Sequence, residues 1–218
     1  MAQGRGAETQ IIDFGKSSPV DPGRVADALR ADTAHRIKAV LAVHVDTSTS
    51  IRNDIAALRA VLDAVEHPAL LMADCIASLG CDRFEMDAWG ADVMVAGCQK
   101  GLMVPPGMAF VFFNSKAAAA RAAMPRVSRY WDWNPRANPE EFFMYWNGTA
   151  PTHHLYGLRT ARDMLHDEGI EAVWARHALL ARAIWAACEV WAQEGPLELN
   201  VVDAKNRSCA VTALRIGA

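Results

Sequence analysis

The sequence predicts an α/β fold, a three-layer α/β/α arrangement around a mostly parallel sheet. One pattern leads there. Short apolar runs alternate with amphipathic helical stretches through the first two-thirds of the chain. The chain is also long enough, at 218 residues with 52% hydrophobic and 22% charged, to bury a sizeable core without disulfides or metals.

The elements follow in order. Gln10–Phe14 reads as a first strand, and Asp21-Pro22 starts a helix with proline at its first position, continuing through Val25, Ala28 and Leu29. Ile37–Val45 reads as a buried strand. Asn53 or Asp54 then caps a helix whose Ile55, Leu58, Leu62 and Val65 keep the 3.6-residue period. Leu70–Ala73, ending at Asp74, and Val93–Ala96 are further buried strands. A loop rich in glycine and proline leads to another strand at Met108–Phe113. Residues 124–151 are irregular and aromatic, and two helices follow at about Thr152–His166 and Ile170–Gln193. Gly195-Pro196 marks a boundary between residues 1–194, a partial major domain with an interface segment at 124–151, and residues 195–218, the start of a small C-terminal α+β domain. In the latter, Ser208–Ile216 begins a strand. So few strands would leave an open sheet edge, and the expectation is a central fragment, incomplete at both ends.

Composition removes several function classes. A net charge of −3 and a pI near 6.2 argue against a broad nucleic-acid surface, and no apolar run approaches a membrane span. Met1–Gly15 lacks a signal core, and five cysteines with no C-x-x-C pair read as reduced, mostly buried thiols, so a cytoplasmic protein is expected. No G-x-G-x-x-G follows a strand, which removes a Rossmann dehydrogenase. His153-His154 point about 100° apart on a helix, unlike an i, i+4 metal pair, so no metal is expected. His44 and His177 read as packing or surface residues, and Trp174, Trp185 and Trp191 as core.

Ligands of such sheets sit beyond the carboxyl ends of the strands, which singles out three loops. Gly97-Cys98-Gln99-Lys100-Gly101 carries a lysine just past a buried strand, where partial burial would make its amine nucleophilic. A surface lysine in a turn is the plain alternative. Asp74-Cys75-Ile76-Ala77-Ser78-Leu79-Gly80 ends an apolar strand on an aspartate, either a helix cap or the partner of a protonated pyridine nitrogen. The hydroxyls of His44-Val45-Asp46-Thr47-Ser48-Thr49-Ser50 suit a cofactor ring hydroxyl, a phosphate or an ordinary turn.

Taken in order, with Pro105-Pro106-Gly107, these loops resemble the class V (fold type I) aminotransferases that use pyridoxal 5′-phosphate (PLP), in the serine–glyoxylate and alanine–glyoxylate branch. The resemblance runs from about Asp13 to Gln193. It implies that Lys100 forms the Schiff base with PLP and moves the proton, that Asp74 faces the pyridine nitrogen, and that Ile76 packs on one ring face. It further implies Thr47 near the ring 3-hydroxyl, Gln99 at the phosphate, and Thr149, within Trp146-Asn147-Gly148-Thr149-Ala150-Pro151, at the phosphate of a neighbouring subunit. Ser50 stands where the family usually has glycine. The implied reaction moves an amino group from serine or alanine to glyoxylate or pyruvate in a homodimer acting on small amino acids and 2-oxo acids. This fragment is expected to be inactive alone. Another class V chemistry, a lyase or cysteine desulfurase, and a non-catalytic fragment that pairs with a full subunit remain alternatives.

Overall fold

The structure, a computed structural model, describes residues 6–217. Helix α1 (Pro22–Ala31) begins where the Asp21 carboxylate accepts the Gly23 N–H at 2.8 Å, with Pro22 at a position that needs no donor. Helix α2 (Ile55–Ala64) is capped by Asp54, which accepts the Ala57 N–H at 2.9 Å. Asn53 has a different task. Its side chain accepts the Val20 N–H and donates to the Val43 carbonyl, both at 2.8 Å, tying the entry to α1 to the end of β1.

Strands β1 (Ala39–Val43), β2 (Leu70–Asp74), β3 (Val93–Gly97) and β4 (Ala109–Phe113) form one sheet in that order. The β1/β2 and β2/β3 pairs are parallel, while β3 and β4 run antiparallel. The reversal follows from the connection at 98–108, which contains no helix to carry the chain back across the sheet. Ile55, Leu58 and Leu62 of α2 join Val25 and Leu29 of α1 over Leu71, Ala73 and Met94 of the sheet. Burying each such aliphatic side chain contributes about 1.5–3 kcal/mol, which makes this layer the main source of stability. On the opposite face Leu41 and Val43 of β1 are 74% and 43% exposed.

Gln10–Phe14 is not a strand, because no strand pairs with it. Ile12 and Phe14 pack against the helical core instead, and Arg24 donates to the Asp13 carbonyl at 2.9 Å with its guanidinium 4.7 Å over the Phe14 ring. The alanine run forms α3 (Ser115–Ala122), an element the sequence reading did not place, with Asn114 accepting the Ala117 N–H. The aromatic stretch contains only a short helix, α4 (Asn134–Ala137), and a 3-10 turn at Phe142–Tyr145. Helices α5 (Thr152–Glu168) and α6 (Ile170–Glu194) meet at Gly169, whose φ of +83° ends the first and starts the second.

Trp191 corrects another expectation: it is 60% exposed, because α6 buries only a narrow stripe through Val173, Ala181 and Cys188. The terminal strand is also shorter than expected. Only Leu214–Ile216 (β6) is extended, paired antiparallel with an unanticipated β5 (Leu197–Leu199). Residues 208–213 stay out of the strand because the N–H groups of Ser208, Cys209 and Ala210 are engaged by Ser50 and Asp82. Among the described residues no helix is long and apolar enough to cross a membrane.

Candidate active site

The parallel register sets the site. Val43 of β1 pairs with Asp74 of β2, and Asp74 pairs with Val95 of β3. Beyond these, the His44 N–H donates to the Asp74 carbonyl and the Cys75 N–H to the Val95 carbonyl, each at 2.8 Å. The loops carrying Thr47, Asp74 with Ile76, and Gln99 with Lys100 therefore leave three adjacent strands at one sheet edge, where open α/β sheets bind ligands.

Asp46 builds the first loop, a role the sequence reading missed although an aspartate followed by hydroxyls is a recognisable turn signal. Its carboxylate accepts the Ser48 N–H at 2.9 Å, the Ser48 hydroxyl at 2.8 Å and the Thr49 hydroxyl at 2.9 Å. Burial pushes the Asp46 pKa up, but these bonds from Ser48 and Thr49 outweigh it and hold the group below the ordinary carboxylate range. With Ser48 and Thr49 engaged and Ser50 buried, Thr47 is left as the exposed hydroxyl of the loop that makes no side-chain hydrogen bond among the described residues. Ser50 adopts a φ of +59°, the left-handed conformation that glycine takes without strain. Ser50→Gly is expected to raise stability by about 1 kcal/mol, read as a higher urea midpoint with unchanged slope.

In the second loop Asp74 is half-buried, and one carboxylate oxygen accepts the Ile76 N–H at 2.9 Å. Its other oxygen has no partner among the described residues. Ile76, 36% exposed, stands beside it. Behind the loop, buried Ser78 shares a 2.9 Å hydrogen bond with His44 Nδ1, and the His44 ring packs against Phe84 and Trp89. Burial lowers the His44 pKa from 6.5 to about 4, against the opposing pull of nearby Asp82.

The folded chain therefore holds this imidazole neutral, while the unfolded chain takes up the proton below its ordinary pKa. The stability at stake is complete above pH 6.5 and is lost as pH falls toward about 4, a change on the order of 3 kcal/mol. Urea titrations at about pH 7 and pH 5 should show a steeper loss in the wild type than in His44→Gln.

The third loop is closed by Cys98. Its buried thiol donates to the Pro105 carbonyl at 3.0 Å and accepts the Met108 N–H at 3.3 Å, while the Met103 N–H donates to the Lys100 carbonyl at 2.9 Å. Lys100 and Gln99 are exposed, which corrects the expectation of a partly buried lysine: both lie in the turn that follows β3. Lys100 Nζ makes no hydrogen bond or ion pair among the described residues. The second and third loops meet backbone to backbone. A Cβ on Gly101 would lie 2.3 Å from the Leu79 carbonyl oxygen, and one on Gly80 3.0 Å from the Gly101 oxygen. Neither glycine was singled out from the sequence, because the contact joins residues from different loops.

Thr149 stands apart. It is exposed in the aromatic segment and makes no hydrogen bond to the other five candidates among the described residues. The chain just beyond it does return to the site. His154 of α5 has Nε2 3.1 Å from the Pro106 carbonyl and covers Gly107. Among the described residues no cluster of three or more His, Cys, Asp or Glu could hold a metal ion.

The family model Aminotransferase class-V matches residues 1–210. The chain is 39% identical over 198 residues to a serine–glyoxylate aminotransferase of Methylorubrum extorquens, covering 88% of this chain and 48% of that protein. It is 37% identical over 222 residues to an L-aspartate–glyoxylate aminotransferase of Paracoccus denitrificans, covering 99% of this chain and 53% of that one. The structure superimposes with a TM-score of 0.83 and 26% identity on an alanine–glyoxylate aminotransferase from Nostoc, covering 97% of this chain and 54% of that one. The chain thus spans about half the length of the curated relatives it matches. The match of that family model, which runs over nearly the whole chain, places this chain in the class V aminotransferase family.

Proposed function

We propose that these residues belong to a PLP-dependent aminotransferase that moves the amino group of serine or alanine to glyoxylate or pyruvate. The observation that carries the reading is the placement of Lys100, with its unengaged amine, one strand over from Asp74, with its unengaged carboxylate oxygen. The donor set fits the cofactor group by group. Asp74 offers an acceptor for a protonated ring nitrogen, Thr47 a hydroxyl for the ring hydroxyl, and Ile76 an apolar surface for a ring face. When bound, PLP supplies the electron sink that lets the substrate Cα–H bond break.

The chain's own residues then divide the work. Lys100 Nζ would hold the cofactor at its aldehyde and would serve as the base that takes the proton from the substrate Cα. Asp74, with one carboxylate oxygen unengaged among the described residues, would accept a hydrogen bond from the ring nitrogen. Gln99, which folds back over Gly97, and Thr149 of a partner subunit would bind the phosphate. A cytoplasmic homodimer is part of the proposal, supported by free cysteines and by the exposed aromatic rings of Tyr130, Phe142, Phe143 and Tyr145. A desulfurase is less well supported, since Cys188 is buried and burial pushes the Cys209 thiol up to about 11.

The test is borohydride reduction of the 218-residue chain with PLP, followed by peptide mapping. The pyridoxyl label is expected on Lys100 and is expected to disappear in Lys100→Ala. Label scattered over surface lysines would sink the reading. These 218 residues assayed alone are expected to give little or no turnover, since they span about half the length of their relatives.

A further inference from the structure

The loop carrying Thr47 is held from two sides, and the outer side comes from the far end of the chain. Asn200, 6% exposed, donates from Nδ2 to the Thr49 carbonyl at 2.9 Å and to the Lys16 carbonyl at 2.7 Å. The Ser208 N–H donates to the Ser50 carbonyl at 3.0 Å, and Ile51 bridges Arg207. The Arg52 N–H donates to the Asn206 carbonyl at 2.8 Å, and its guanidinium to the Lys205 carbonyl at 2.6 Å. Thr49, Ser50, Ile51 and Arg52 are thus each tied to the segment at 200–208.

That segment is itself anchored. Arg207 reaches Glu189 of α6 at 2.7 Å and the carbonyls of Val201 and Val202 at 2.8 and 2.9 Å. The Ser208 hydroxyl donates to buried Asp82 at 2.6 Å. Asp46 draws Ser48 and Thr49 inward, so Thr47 is the loop residue that neither side holds.

We infer that the segment from Asn200 to Ser208 is a positioning element for the Thr47 loop, with Asn200 as its principal positioning residue. The inference rests on the proposed cofactor reading for what Thr47 does, and on the hydrogen bonds alone for what holds it. Asn200 acts because its carboxamide presents two donors to two carbonyls from distant parts of the chain, a geometry that alanine cannot supply and aspartate would repel.

Amide hydrogen exchange on the apo 218-residue chain is the first test. Asn200→Ala is expected to speed exchange at 48–52 by about tenfold or more, with β2 unchanged. Asn200→Ser, which keeps one donor and disturbs the core less, should give an intermediate acceleration and serves if the alanine variant does not fold. Unchanged exchange at 48–52 overturns the inference, and so does equal acceleration in β2, which would make Asn200 a fold-wide brace. The second readout is the absorbance maximum of the PLP-loaded chain. Thr47→Val and Asn200→Ala should shift it in the same direction, with no further shift in the double variant. A shift with Thr47→Val alone overturns the inference and leaves the cofactor reading standing. If Lys100 takes no label, the cofactor reading fails instead, and exchange still decides whether the segment holds the loop.

Discussion

Gly101→Ala is expected to abolish pyridoxyl labelling of Lys100 and to destabilise the chain by about 3 kcal/mol. The added methyl would lie 2.3 Å from the Leu79 carbonyl oxygen, 3.0 Å from Cys81 Sγ and 3.1 Å from the Gly80 carbonyl carbon. Two of these neighbours are backbone and cannot rotate aside. Gly80 cannot yield easily either, since its φ is +84° and its own Cβ position faces the Gly101 backbone. Relief requires the loops after β2 and β3 to move apart, which separates Asp74 from Lys100. Gly148→Ala is the matched control, because nothing lies within 4 Å of its Cβ position. It should label and unfold like the wild type. Normal labelling and an unchanged urea midpoint in Gly101→Ala would refute the close approach as the organiser of the site.

Asp82→Ala is expected to cost about 3–5 kcal/mol. Asp82 is buried and accepts the Ser208 hydroxyl at 2.6 Å, the Cys209 N–H at 2.9 Å and the Ala210 N–H at 3.3 Å, with the Arg52 guanidinium at 3.8 Å. Removing the carboxylate strands these donors away from water and frees the segment that reaches the Thr47 loop. Asp82→Asn keeps the shape and one acceptor oxygen, so its loss should be roughly half as large. Urea titration reads the stability, and limited proteolysis should cut Asp82→Ala preferentially between 200 and 210. Resistance equal to that of the wild type would show that Asp82 does not hold the segment.

Much of the fold was legible because it depends on neighbours in sequence. Asp21 and Asp54 cap their helices from within one turn, and Gly169 divides α5 from α6 by its own backbone freedom. The stripe of Ile55, Leu58 and Leu62 is buried as its period requires. Failures fell where partners are distant. Gln10–Phe14 has strand-like residues but no strand beside it, and 208–213 gives its N–H groups to Asp82 and Ser50 rather than to a ladder.

The candidate site divides in the same way. The sequence by itself determined the chemistry at hand: a lysine, an aspartate and a hydroxyl run, each just past an apolar strand. Strand propensity and loop composition are local properties, so the position of each residue just past a strand is legible without coordinates. Only the tertiary structure decided the rest. It left Thr47 free by engaging Ser48 and Thr49 on Asp46, opened Lys100 to solvent, turned β4 antiparallel, and brought Gly80 against Gly101 and Asn200 against Thr49. Each of these is a pairing whose outcome depends on which group wins a shared donor, acceptor or volume. Such competition is resolved when the chain is packed, because buried polar groups must find partners and two backbones cannot occupy one space.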